Sequence, residues 1–417
     1  MQLSLFGGTT PFKIDKPIRL IELFGGISCQ AQALLNLGVD FENYRYCDFD
    51  KYACQSHNEI MGTNDKPSDI TKWKGEDLGV CDTDKYCYIM TYSFPCTDLS
   101  TAGKMAGMER NSGTRSGLLW EVERLLKECN ELPQVLLMEN VPQVHGKKNK
   151  ASFDEWCQFL ESLGYKNYCK DLNAKDYGVP QSRNRCFMVS LLGDYSYEFP
   201  EPIELKLKLQ DLLEDEVDEK YYLSDKMVKY IQEKNDKWTG NNGNNSVINR
   251  DIACTKTTRE GQTRADASDY ICNNIPNNYK LIQEGKVKEN DVIRHSYSTS
   301  RMNGEMLGVC VKTNNKRQRE LENKIDLAKD NQFLDFYNQS SHTNIAGTIT
   351  TRVDASNSTG IYKNYRIRKL TPTECLRLMG VRDEYSKRMT CSNAQKYKQA
   401  GNGIVVDVLM AIFKQML

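Results

Sequence analysis

The sequence predicts an α/β protein: a parallel sheet covered by helices on both faces, followed by a smaller, irregular, β-rich domain. Three observations carry this prediction. From Ile18 to about Leu192, short apolar runs alternate with helical patterns at the spacing of β-α units. From residue 194 to 364 the chain turns polar, rich in Thr, Ser, Asn and Arg, with only short strand-like pieces. From residue 365 helical order returns and ends in an apolar-faced segment that needs a core to pack against. At 417 residues the chain is also too long for one hydrophobic core.

The elements follow in order. "IRLIELF" (18–24) is a short apolar strand, Gly25-Gly26 a turn, and "SCQAQALLNLG" a helix stopped by Gly38. "NYRYCDF" (43–49) reads as a second strand and "DKYACQSHNEIMG" (50–62) as a helix with its own glycine stop. "YCYIMTYS" (86–93), "QVLLMENV" (134–141) and "RCFMVSLLG" (185–193) are later strands, with "SGLLWEVERLLKECNE" (116–131) helical between the first two. Ser152 with Glu155 makes a capping-box pattern opening a helix over 152–164. Beyond the polar region, Thr371, Pro372 and Glu374 mark a capped helix start, and Gly380 its stop. The expected segments are a tail (1–17), a first α/β domain (18–193), the polar β-rich domain (194–364) and a return segment (365–398). A Gly-Asn-Gly turn and terminal helix (399–417) complete the first domain.

Composition narrows the class. No apolar run approaches the ~20 residues needed to span a bilayer, and the N-terminus lacks the regions of a signal peptide. Lys+Arg and Asp+Glu balance at 56 each, so the net charge steers the chain to no acidic partner, although a balanced total leaves a one-sided distribution open. Fifteen cysteines in an unexported chain point to reduced thiols in a cytosol. No Cys-x2-Cys pair occurs, and His57, His145, His295 and His342 lie at no metal-ligand spacing, so no metal is expected.

One cysteine stands apart. Cys96 lies in "YSFPCTDLSTAG" (92–103), behind the only proline that directly precedes a cysteine, at the ligand-binding edge of the predicted sheet. A nucleophilic thiol needs a positive or dipolar setting, since a free thiol near neutral pH is mostly protonated. Glu139 ends another strand at the corresponding edge; it is a functional carboxylate or the partner of an ion pair. "QSRNR" brings Arg183 and Arg185 towards the same region, to pair with Glu139, to bind an anion or carbonyl, or to line an exposed strand. The corner Phe24, Gly25, Gly26, Ile27 lets a ligand approach the backbone, and is not the Gly-x-Gly-x-x-Gly of a dinucleotide site. Asp48 is placed for ribose hydroxyls or for capping the next helix, and Phe49 for packing on a base. Asp69 and Ile70 serve an adenine or simply open a turn.

A cysteine, a glutamate and an arginine beside a nucleotide-like ligand suit one reaction: addition of a thiolate to cytosine C6, which makes C5 nucleophilic. The order of motifs resembles the DNA (cytosine-5) methyltransferase family over about 18–193 and 365–417. "FGGIS" is similar to its first cofactor motif, "FPCTDLS" to its Pro-Cys motif, "MENV" to its Glu-Asn-Val motif and "QSRNR" to its Gln-x-Arg-x-Arg motif. "RKLTPTECLRLMG" and "AGNG" resemble its last two. Two positions depart: Ser28 stands where glycine is usual, and Thr97 where glutamine is usual.

The resemblance implies a Rossmann-like domain that uses S-adenosylmethionine, with a target recognition domain in the polar region. It assigns the covalent bond to Cys96, N3 contact to Glu139, and ring contact to Arg185 with support from Arg183. It places the cofactor against Phe24, Gly25, Gly26, Ile27, Asp48, Phe49, Asp69, Ile70, Pro95 and Asn402. It also implies base flipping, with residues 97–115 closing over duplex DNA. Ser100, Arg115, Arg259 and Arg352 are the candidate DNA contacts. The tail pentapeptide Gln2–Phe6, "QLSLF", resembles the motif that docks on bacterial sliding clamps. A monomeric, cytoplasmic enzyme of a bacterial or phage-infected cell is expected. The competing readings are an RNA cytosine methyltransferase and a non-catalytic DNA-binding relic.

Overall fold

The computed structural model describes residues 10–96, 98–99, 107–110, 112–223, 247–248, 253–256, 269–274, 292–294, 309–311, 332–335, 340–343, 359–362 and 365–417. The chain divides into two compact units. Unit 1 comprises Met1–Glu216, Arg250–Thr263 and Thr371–Leu417; unit 2 comprises Val217–Asn249 and Arg264–Leu370.

Unit 1 is built on a six-stranded sheet. Its elements are β1 (Ile18–Leu23), α1 (Cys29–Asn36), β2 (Phe41–Cys47), α2 (Lys51–Met61), β3 (Cys87–Tyr92) and α3 (Leu119–Glu128). Then come β4 (Val135–Asn140), α4 (Lys150–Ser162), β5 (Tyr165–Asn173) and β6 (Asn184–Leu192). The strand order is β2-β1-β3-β4-β6-β5. β1 pairs in parallel with β2 and β3, and β3 with β4. β3 and β4 are buried along their whole lengths, which is why they read as continuous apolar runs.

The all-parallel expectation needs correction at one edge. β6 runs antiparallel to both β4 and β5. β5, "YKNYCKDLN", carries no apolar signal because it is the edge strand and most of its side chains are half-buried or exposed. The capping box at Ser152 is also absent. α4 starts at Lys150 behind Asn149, and Glu155 instead pairs with Arg110 at 2.5 Å. The box at Thr371 does form, with Pro372 opening α5 (Pro372–Arg377).

The C-terminal segment continues with α6 (Asp383–Ser386), α7 (Asn393–Asn402) and α8 (Val406–Lys414). α7 runs through Gly401 and Asn402, so the expected Gly-Asn-Gly turn is the end of one helix rather than the lead into the next. α8 packs on α1 and buries Val406, Val408, Leu409, Ile412 and Phe413. Two segments of the polar region fold with unit 1. Ala253–Cys254 pairs in parallel with Gln181–Ser182, and the Glu214 N–H donates to Glu374 at 2.9 Å. The chain after the tail pentapeptide is pinned as well: the Ile14 N–H donates to the Met416 carbonyl at 2.7 Å and Phe12 is buried. Gln2–Phe6 itself lies outside the described residues.

Unit 2 is β-rich among its described residues. Asp269–Asn274 lies between Val247–Ile248 and Tyr365–Lys369 in one sheet. Val292–Arg294 pairs antiparallel with Val309–Val311, and Gln332–Asp335 lies between Ser340–Thr343 and Thr359–Tyr362. Residues 365–370 therefore belong to this unit rather than to a return segment.

Candidate active site

The site gathers at the C-terminal ends of β3 and β4 and the start of β6, where the sheet direction changes. Adjacent parallel strands deliver the Cys96 loop and Glu139 to the same edge. Because β6 is antiparallel, its first residues reach that edge too; Asn140 faces Cys186, and Arg185 precedes it. Arg185 Nε lies 3.3 Å from Glu139 Oε1.

The backbone ahead of the thiol is fixed at three successive carbonyls. The Asn140 amide donates to Phe94 O at 3.0 Å, the Ser116 hydroxyl to Pro95 O at 2.6 Å, and the Leu99 N–H to Cys96 O at 3.0 Å. The loop beyond is not free throughout. Asp98 and Leu99 are buried, and Asp98 accepts from the Gly107 N–H through its carbonyl and from the Arg115 N–H through its carboxylate, both at 2.9 Å. The Arg115 side chain is exposed. Thr97, Ser100, Arg259 and Arg352 lie outside the described residues.

Burial and the two arginines oppose each other in the electrostatics. Burial pushes the Cys96 thiol up, Glu139 pushes it the same way, and Arg185 and Arg183 pull it down. Burial likewise raises the Glu139 carboxyl, against the two arginines. Arg183, expected to support Arg185, is held by the backbone. Its buried guanidinium donates to the carbonyls of Lys256 (2.9 Å), Gly401 (3.0 Å) and Gly403 (2.8 Å). Burial first, and Arg185 second, hold it down to about 9. It ties three chain segments together.

Sequence reasoning passed over Gln181, although it is the first letter of "QSRNR". Its amide accepts from the Lys256 N–H at 2.9 Å and donates to Leu378 O at 2.5 Å, fastening the Lys256 segment to the end of α5. Ser116 and Asp98 were also missed, and nothing in their local sequence distinguishes them from ordinary loop polar residues.

The glycine corner lies beside this site. Phe24, Gly26 and Ser28 all have positive φ, at 56°, 57° and 56°. A Cβ on Gly25 would stand 2.6 Å from the Tyr46 ring, whereas one on Gly26 would meet nothing within 4 Å. Gly25 is therefore required by packing, and Gly26 by its φ and by the open space above it. Ile27 is buried. Asp48 accepts from the N–H groups of Gly26 and Asp50, each at 2.8 Å, so it fixes the corner to the start of α2. Phe49 is 81% exposed. Asp69 caps its own turn by accepting from Thr71, and Ile70 is buried in the core. Asn402 is exposed at the end of α7, between the two carbonyls that Arg183 holds.

Ser28 and Glu22 form a buried polar layer under the corner. Ser28 Oγ and His57 Nδ1 share a 2.5 Å hydrogen bond, and the His57 ring stacks on Tyr46 with centroids 3.7 Å apart. Burial lowers His57, against Asp65, whose carboxylate lies 3.0 Å from Nε2 and favours the charged form. Glu22 accepts from the Ala31 N–H at 3.3 Å. Burial pushes its carboxyl up to about 8, against the Ser28 hydroxyl and the Ala31 amide, which favour the charged form.

Residues 18–417 match the C-5 cytosine-specific DNA methylase family model. The chain belongs to that family. It is 31% identical over 329 residues to the type II methyltransferase M2.ScrFI of Lactococcus lactis subsp. cremoris, covering 78% of this chain and 65% of that protein. It is 48% identical over 144 residues to the orphan methyltransferase M.SssI of Spiroplasma monobiae, covering 34% of this chain and 37% of that one. The chain thus spans less than two thirds of the length of these two relatives. The fold is similar to the solved structure of the Entamoeba histolytica methyltransferase EhMeth, with a TM-score of 0.63 at 15% identity, covering 96% of this chain and 98% of that one.

Proposed function

We propose that this protein transfers a methyl group from S-adenosylmethionine to C5 of a flipped cytosine within a short specific sequence of duplex DNA. The observation that carries the proposal is the convergence of Cys96, Glu139 and Arg185 at one sheet edge, with Arg185 paired to Glu139.

The residues present fit the cofactor. The corner leaves open space over Gly26, backed by Asp48, and Phe49 offers an exposed ring for a base. Pro95 is the closing residue we assign, its carbonyl held by Ser116. When bound, the cofactor supplies an electrophilic methyl group. The rest is the work of this chain's own side chains. The Cys96 sulfur adds to cytosine C6 and forms a C–S bond. Glu139, whose carboxyl burial raises, donates a proton at N3 and so neutralises the negative charge that moves into the ring. Arg185 orients Glu139 and hydrogen-bonds the ring carbonyl. Once C5 carries the methyl group, solvent water takes the C5 proton, the electron pair it leaves forms the C5–C6 double bond and breaks the C–S bond, and Glu139 recovers the N3 proton, freeing Cys96 as thiolate. Adding the thiolate requires the base outside the helix, at a cost of a few kcal/mol of unstacking.

Labelled methyl transfer to unmodified duplex DNA, followed by sequencing of the methylated positions, tests the reading. Modification at one short motif, lost in Cys96→Ser, is expected. Transfer to RNA alone would move the protein to the RNA reading, and DNA binding without transfer would make it a binding protein.

We also assign Gln2–Phe6 to a bacterial sliding clamp, on its sequence and on its place just ahead of a segment pinned to the C-terminus. A peptide of residues 1–12 should bind a clamp, and its Leu5→Ala/Phe6→Ala version should not.

A further inference from the structure

Four side chains of metal-ligating type lie close together where β5 pairs with β6. His145 comes from the turn Pro142–His145 after β4, Cys169 and Asp171 from β5, and Cys186 from β6. The register sets Asp171 opposite Cys186, and Cys169 lies two residues from Asp171 on the same face. His145 Nε2 is 2.9 Å from Asp171 Oδ1, and the two sulfurs are 3.4 Å apart. The ligating atoms of His145, Asp171 and Cys186 all lie within 4.8 Å of one another.

We propose that this cluster binds a thiophilic divalent transition-metal ion, zinc being the best fit, through His145, Cys169, Asp171 and Cys186. A tetrahedral ion with bonds of ~2.0–2.3 Å holds its ligand atoms ~3.3–3.8 Å apart. The 2.9 Å spacing and the 4.8 Å bound place His145, Asp171 and Cys186 around that range, and Cys169, 3.4 Å from the Cys186 sulfur, completes the shell by side-chain rotation. Two sulfurs and an imidazole with a single carboxylate select zinc over calcium or magnesium, which take oxygen shells. Two thiolates and a carboxylate also outweigh the ion's charge, which suits a divalent cation in a half-buried place. A disulfide is the other use of two close sulfurs, and the register opposes it. Cys169 sits opposite Met188 rather than Cys186, and such diagonal neighbours are ~7–8 Å apart, beyond the usual span of a disulfide.

The sequence gives no hint of this site, because its ligands are scattered over residues 145–186 and only the fold of β5 onto β6 brings them together. The expectation of no metal rested on spacing alone. An ion here ties the turn after Glu139 to the strand that begins beside Arg185, so it acts on the active site as a positioning element.

The test is cobalt titration of the full chain, reduced and stripped with chelator. One equivalent of Co²⁺ should give thiolate-to-cobalt charge-transfer absorption and the intense visible bands of a tetrahedral ion, both bleached by Zn²⁺. Cys169→Ser should abolish them, and Cys96→Ser should keep them. His145→Gln, on a partly exposed turn, should weaken binding at least about tenfold. Cys186 is fully buried, so Cys169→Ser and His145→Gln decide the matter if Cys186→Ser fails to fold. No tetrahedral spectrum at stoichiometric cobalt, or one that survives Cys169→Ser, overturns the proposal. So does a Cys169–Cys186 linked peptide as the main form of the protein isolated under thiol-blocking conditions.

Discussion

Replacing Glu22 by glutamine should make the protein more stable as the pH rises, relative to the unaltered chain. Glu22 is fully buried under the glycine corner and its carboxyl is pushed from 4.5 up to about 8. A carboxyl whose folded value lies above its unfolded value contributes stability that is fully present below the unfolded value. That contribution is lost as pH climbs through the folded value. The window is therefore 4.5 to about 8. Each pH unit within it costs about 1.4 kcal/mol, so the native state loses at most roughly 5 kcal/mol across the window. Glutamine keeps an oxygen for the Ala31 N–H and has no proton to lose. Urea unfolding followed by tryptophan fluorescence at pH 5 and pH 8 measures the difference, since Trp73, Trp120 and Trp156 all lie in unit 1. The gap between Glu22→Gln and the unaltered chain should widen in the variant's favour by several kcal/mol at the higher pH. A gap that stays constant within about 1 kcal/mol would refute the reasoning.

Three more outcomes are expected. Glu139→Gln should reduce methyl transfer at least about 100-fold, yet speed alkylation of Cys96 by iodoacetamide in the free protein, because Glu139 raises the thiol. Equal losses in both assays would contradict that coupling. Arg183→Gln should destabilise unit 1 by roughly 3 kcal/mol or more, since a buried guanidinium leaves three carbonyls without it; thermal melting checks this, and Arg183→Lys should recover only part. Gly25→Ala should lower stability by about 1–3 kcal/mol through its clash with Tyr46. Gly26→Ala should cost about 1–2 kcal/mol in backbone strain and also weaken S-adenosylmethionine binding by calorimetry, as its methyl group enters the open space.

Chain order alone was enough for the first turns of the site. The Gly25-Gly26 corner, the Cys96 loop and Glu139 are each local: a strand ends, and the next few residues fall at the same sheet edge. The strands β3 and β4 were legible for a related reason, because burial along their whole lengths leaves a largely apolar run. β5 was not, because an edge strand carries a mixed surface and no period.

Local chain order carries the family's motifs and the residues able to do the chemistry. The division of labour among them comes from long-range packing. Arg183 and Arg185 are two residues apart and chemically identical, yet one is buried against the carbonyls of Lys256, Gly401 and Gly403 while the other faces Glu139. That choice depends on segments about 70 and 220 residues further along the chain, which fold back against β6. No local pattern encodes such contacts, because a guanidinium's partner is set by whatever long-range packing places within its reach.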